Sequence, residues 1–100
     1  MELKRIKDGI HYIPNSTNIG VIDVGEKTVI LIDTGIDDSI GKRILKLLED
    51  RGLSVVAIIN THSHADHCGG NQYITDKTGA RVYAPELESA IIQFPALEPL

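Results

Sequence analysis

The sequence predicts an α/β fold of the α+β kind, a mixed sheet with helices packed on one face. Short apolar or alternating runs, separated by turn residues, fill the first third of the chain. A helix-period stretch follows and leads directly into another apolar run. A shorter helix and strand then repeat that order, so a meander is extended by helix–strand units. At 100 residues, 42% hydrophobic and 24% charged, the chain is expected to form one domain over 1–100. This composition lies far from that of chains that stay disordered.

The elements follow in order. Residues 2–6 and 10–13 suit short strands, with Asp8-Gly9 between them as a tight turn. Residues 14–18 (PNSTN) form a turn cluster. Strands are expected at 19–24 (IGVIDV) and 28–32 (TVILI), joined by a turn at Gly25-Glu26-Lys27. The run 28–32 is almost wholly apolar, which predicts cover on both faces. Asp33-Thr34-Gly35 ends it. Asp37 or Asp38 caps a helix whose residues Ile40, Ile44, Leu47 and Leu48 recur at helical spacing, and Gly52 suits its C-terminal stop. Residues 54–59 (SVVAII) predict a buried strand. A short helix is expected over 71–78 with Gly79 closing it, a strand over 81–84, and a last helix from Pro85, with Glu86 and Glu88 near its positive end.

The net charge of −4 gives no general attraction to nucleic acid or to an anionic membrane. Cys68 is the only cysteine, so no internal disulfide forms and a reducing compartment fits. The start, MELKRIKDG, lacks the apolar core of a secretory signal, and no apolar run reaches membrane-spanning length. These features predict a soluble, cytoplasmic protein.

The informative stretch is 60–70, NTHSHADHCGG, directly after the strand at 54–59. His62, His64, Asp66 and His67 crowd into six positions. In extended backbone alternate residues point to one side, so His62, His64 and Asp66 can converge, and a turn near Asp66 brings His67 round. Imidazole nitrogen and carboxylate oxygen suit zinc, and also iron or manganese. Turn chemistry alone has no use for three histidines. Gly69 and Gly70 allow a sharp turn and a helix start free of a Cβ clash.

The stretches THSHADHCGG and LIDTG, in this order with a helix and a strand between them, resemble the metallo-β-lactamase superfamily. The resemblance implies that this chain is the N-terminal half of an αββα sandwich. It implies that His62 and His64 bind one metal and that Asp66 and His67 bind a second, zinc being the expected ion. Asp33 matches the D of D-T-G and is expected to help hold the ligand loop; as an Asx-turn it would also close its strand. Cys68 is expected to be a small apolar packing residue, His11 a surface or half-buried polar residue, and Tyr12 and Tyr73 packing residues. The implied activity is metal-dependent hydrolysis, a metal-bound hydroxide attacking an ester, thioester, lactam or phosphodiester, with Asp66 orienting the nucleophile. A small-molecule substrate is expected. An iron-based oxygen-reductase reading fits less well, because that group usually carries an acidic residue where this chain has His64.

The superfamily's remaining metal ligands come from later in the chain than Leu100. A catalytic zinc uses about three protein ligands and an open position. The 100-residue chain is therefore expected to be a partial domain that binds metal weakly and is weakly active or inactive. The alternative is a non-catalytic metal-binding half-domain or assembly module. Its apolar strands, lacking the second sheet of the sandwich, predict self-association into a homodimer.

Overall fold

The computed structural model describes residues 1–61 and 69–83. Strands β1 (Lys4–Lys7), β2 (Ile10–Ile13), β3 (Ile19–Gly25) and β4 (Thr28–Ile32) form an antiparallel meander. Helix α1 (Asp38–Asp50) crosses to β5 (Ser54–Ile59), and helix α2 (Asn71–Thr78) crosses to β6 (Arg81–Tyr83). β5 lies parallel to β4, and β6 parallel to β5. Among the described residues one six-stranded sheet results, with strand order equal to chain order. The helix expected from Pro85 lies outside the described residues.

Each boundary has a local cause. The β3–β4 hairpin closes through Glu26 and Lys27, both at positive φ (53° and 61°), the twist that two-residue hairpins favour. Asp37 caps α1 by accepting a hydrogen bond from the Ile40 amide at 3.0 Å. At the other end the Gly52 amide donates to Glu49 O and the Leu53 amide to Leu48 O, each at 2.9 Å, with Gly52 left-handed at φ 73°. This paired closure satisfies carbonyls that the last turn leaves open. Gly79 ends α2 in the same left-handed region, at φ 71°.

The crossovers from β4 to β5 and from β5 to β6 carry both helices to one face of the sheet, where they share one core. Ile13, Ile19, Val21, Val29, Leu31, Val55 and Ile58 from the strands meet Ile44, Leu45, Leu48 and Ile74 from the helices in one core. Leu31, Ile44, Leu48, Ile58 and Ile74 are fully buried. At roughly 1.5–3 kcal/mol for each large aliphatic side chain, this layer is the main favourable term of the fold. Tyr73 packs against it, as expected.

The opposite face is different. Register aligns Ile10, Ile22 and Ile30 in one ladder and Tyr12, Gly20, Ile32, Ile59 and Tyr83 in another. These side chains are half-buried or exposed. The cover expected on both faces of 28–32 is thus present on one face among the described residues. An apolar run reports that a strand can be buried; it does not supply the second layer.

Candidate functional site

Because β4 and β5 run parallel, their C-terminal ends open on the same edge of the sheet, the usual place for a site in such folds. Asp33 follows β4 and Asn60 follows β5. The Asp33 amide donates to Ile59 O at 2.9 Å, and the Asn60 amide to Tyr83 O at 2.9 Å, so the sheet ladder continues one residue past each strand.

Asp33 is 5% exposed and left-handed, at φ 68°. Asp tolerates that region better than most residues. The conformation is matched by the carboxylate's bonds. Oδ1 accepts from the Thr61 amide at 2.9 Å and Oδ2 from Thr61 Oγ1 at 2.8 Å. Asp33 thus grips the backbone and the side chain of the residue immediately before His62.

Three further buried polar residues join this anchor. Thr34 is fully buried, Asn60 is 1% exposed and Asn71 is 8% exposed. Thr34 Oγ1 donates to Asn71 Oδ1 at 2.7 Å, and Asn71 Nδ2 donates to Asn60 Oδ1 at 2.6 Å. Asn60 Nδ2 lies 3.4 Å from Asn71 Oδ1 and 3.5 Å from Asp33 Oδ1. Buried amides left unpaired are costly, and each of these has a partner.

The glycines close the far side. The Gly69 amide donates to Gly35 O at 2.7 Å. A Cβ on Gly69 would overlap the Ile36 carbonyl, and one on Gly70 would overlap the Thr34 carbonyl. Gly41 of α1 sits against Gly70 in turn, where a Cβ would stand 2.9 Å from the Gly70 oxygen. Gly70 itself has an ordinary helical backbone, φ −87°. The Gly-Gly pair therefore serves close packing of backbone on backbone. The sharp turn expected from it is not what requires glycine at position 70.

Of the residues singled out in the sequence, Asp33 stands at this edge. His62, His64, Asp66, His67 and Cys68 lie outside the described residues. Among the described residues no group of three or more His, Cys, Asp or Glu side chains is placed to hold a metal. His11 sits on β2 opposite Val21, half-buried, and Tyr12 is half-buried beside it. Thr34, Asn60 and Asn71 were not singled out. The signal for them is modest: polar residues that end or follow an apolar strand, and an Asn directly after the Gly-Gly pair.

A sequence profile of the metallo-β-lactamase superfamily matches residues 12–99. A hydroxyacylglutathione hydrolase of Erythrobacter litoralis is 40% identical over 82 residues, covering 77% of this chain and 30% of that protein. A hydroxyacylglutathione hydrolase of Prochlorococcus marinus is 35% identical over 96 residues, covering 92% of this chain and 36% of its own length. Among solved structures, a subclass B3 metallo-β-lactamase of Bradyrhizobium japonicum superposes with a TM-score of 0.77 at 28% identity, over 91% of this chain and 35% of that one. A metallo-β-lactamase of Cronobacter sakazakii gives a TM-score of 0.78 at 26% identity, over 91% and 37%. This chain thus spans about a third of the length of these relatives, corresponding to their N-terminal part. With the profile matched over most of its length and the same fold in the solved structures, the chain belongs to the metallo-β-lactamase superfamily.

Proposed function

We propose that this chain is the ligand-loop part of a metal-dependent hydrolase whose substrate is a small ester or thioester. The observation that carries the reading is the framing of 62–68. Asp33 holds Thr61 on one side, and close packing of Gly69 and Gly70 on Thr34–Ile36 fixes the other. The chain on either side of a segment rich in metal-ligand side chains is thereby held at the C-terminal edge of a parallel strand pair. The relatives named hydroxyacylglutathione hydrolase favour a thioester over a lactam or phosphodiester.

The donor chemistry fits zinc: three imidazoles and a carboxylate, all nitrogen and oxygen. Superfamily members generally bind metal ions, usually zinc. In this reading His62 and His64 hold one ion, and Asp66 and His67 a second. Bound metal supplies Lewis acidity and lowers the pKa of water. The chain's own side chains do the rest. The histidines offer neutral ring nitrogens, Asp66 accepts a hydrogen bond from the nucleophile and aims it, and Asp33 fixes where the segment begins. The single cysteine supports a cytoplasmic location. No helix among the described residues is long and apolar enough to cross a membrane.

A second reading is favoured by the share of the relatives covered, about a third. The chain then binds metal without turnover, as a half-domain or assembly module. Hydrolysis of a generic acyl thioester by the purified chain separates the two. Turnover that a chelator abolishes, that zinc restores and that His64→Ala removes supports the hydrolase. Zinc binding without turnover supports the half-domain.

A further inference from the structure

We propose that the Asn60–Asn71 amide pair, braced by Thr34, is the positioning clamp that fixes the two ends of the ligand loop and thereby sets its metal affinity. The inference rests on the metal-site reading above and deepens it by naming residues outside the ligand motif.

The geometry is specific. Asn60 is the residue after β5, and Asn71 is the first residue of α2. Between them run the ten residues that carry the donors. Asn71 Nδ2 donates to Asn60 Oδ1 at 2.6 Å, so the chain on the two sides of the loop is joined by a direct side-chain bond. Thr34 Oγ1 donates to Asn71 Oδ1 at 2.7 Å and braces that amide at its oxygen. Asn60 Nδ2 faces Asn71 Oδ1 at 3.4 Å and Asp33 Oδ1 at 3.5 Å, tying the pair to the carboxylate that holds Thr61. All of these side chains are buried, Thr34 completely, so the bonds are shielded from competing water.

A core position has no need of this arrangement. The strand end and the helix start could meet through apolar side chains, as α1, α2 and β5 do in the core that Leu45, Ile74 and Val55 share. Polar pairing instead makes the closure directional. It brings the loop ends to one separation and keeps them there before any ligand arrives. A loop closed in advance loses less freedom when its side chains converge on an ion. Outer partners of metal ligands typically contribute 10–100-fold to affinity. The clamp acts on the whole segment, and about a tenfold effect is expected.

Cobalt(II) is titrated into the metal-free chain, followed by its visible absorption, and amide hydrogen exchange is measured at Thr61 and Gly69 without metal. Asn71→Leu, close in volume, removes the pair. Thr34→Val removes the brace, and Thr34→Ser restores its hydroxyl. Leu48→Ala serves as a core control that lowers stability away from the loop. The clamp predicts that Asn71→Leu binds cobalt about tenfold more weakly and speeds exchange at Thr61 and Gly69. Thr34→Val shifts both several-fold, Thr34→Ser returns both toward wild type, and Leu48→Ala leaves cobalt affinity within about twofold. Equal affinities for wild type, Asn71→Leu and Thr34→Val would overturn it. So would a fall in Leu48→Ala matching that in the clamp variants. Should Asn71→Leu not fold, the Thr34 pair decides alone. A wild-type cobalt spectrum unaffected by His62→Ala would overturn the metal-site reading, whereas exchange at Thr61 and Gly69 still reports whether the clamp holds the loop ends.

Discussion

Asp33 shows how one residue can carry both a backbone shape and a binding task. Its φ of 68° suits few residues, and its carboxylate takes both hydrogen bonds that Thr61 offers. Asp33→Ala loses these bonds and places a less tolerant residue in the left-handed region, so about 2–4 kcal/mol of stability should go. Asp33→Asn keeps the backbone preference and one good acceptor, and about half that loss is expected; urea unfolding of the two variants checks the order. The glycines make a second prediction. A Cβ at Gly69 overlaps the Ile36 carbonyl, a backbone atom that cannot swing aside. Gly69→Ala should therefore cost about 3 kcal/mol or displace the loop base, whereas Gly25→Ala, with open space around it, bears only the strain of its φ of 96°. A Tm loss no greater for Gly69→Ala than for Gly25→Ala would refute the packing role. At this scale the sequence was only partly legible. The D-T-G and the His-rich motif are local and stand out. The Thr34–Asn71–Asn60 pairing joins residues 37 and 11 positions apart and follows no period.

The elements themselves were legible where local pattern and tertiary demand agree. The spans 28–32, 54–59 and 71–78 match β4, β5 and α2, and Asp37 and Gly52 act at the two ends of α1. The apolar runs there are bounded by residues with one clear structural use. Boundaries moved at β1, expected over 2–6 and found at Lys4–Lys7, where the strand has a single neighbour to enforce its ends, and at β3, which runs one residue further to Gly25. The Glu26-Lys27 turn is a case of local preference overruled. Both residues adopt positive φ, a conformation that Asn and Gly take at far less expense. Replacing Glu26-Lys27 with Asn-Gly should raise stability by about 1 kcal/mol, read as a higher urea midpoint at unchanged slope. An unchanged or lower midpoint would mean that the turn residues gain something here that their backbone shape does not reveal.

At the scale of the whole molecule, the sheet has a helix-covered face and an apolar face that the described residues leave partly open. The ladders Ile10–Ile22–Ile30 and Tyr12–Gly20–Ile32–Ile59–Tyr83 run across it. Apolar patches larger than a few hundred Å² are uncommon on soluble monomers, and covering one is worth on the order of 10 kcal/mol before association costs. The chain on its own is therefore expected to pair face to face at micromolar concentration. Sedimentation equilibrium should show a species at twice the 10.9 kDa chain mass, shifted toward monomer by Ile30→Lys. A wild-type monomer that binds no apolar dye would show the face to be covered already.

On the proposed reading, the segment between Thr61 and Gly69 binds metal through His62, His64, Asp66 and His67. Zinc titration calorimetry on the 100-residue chain tests it most directly, with the His62→Ala, His64→Ala double variant beside the wild type. Saturable binding of about micromolar strength or weaker is expected in the wild type, whose segment offers two donors per ion, with its loss in the double variant. Indistinguishable isotherms for the two proteins would contradict it.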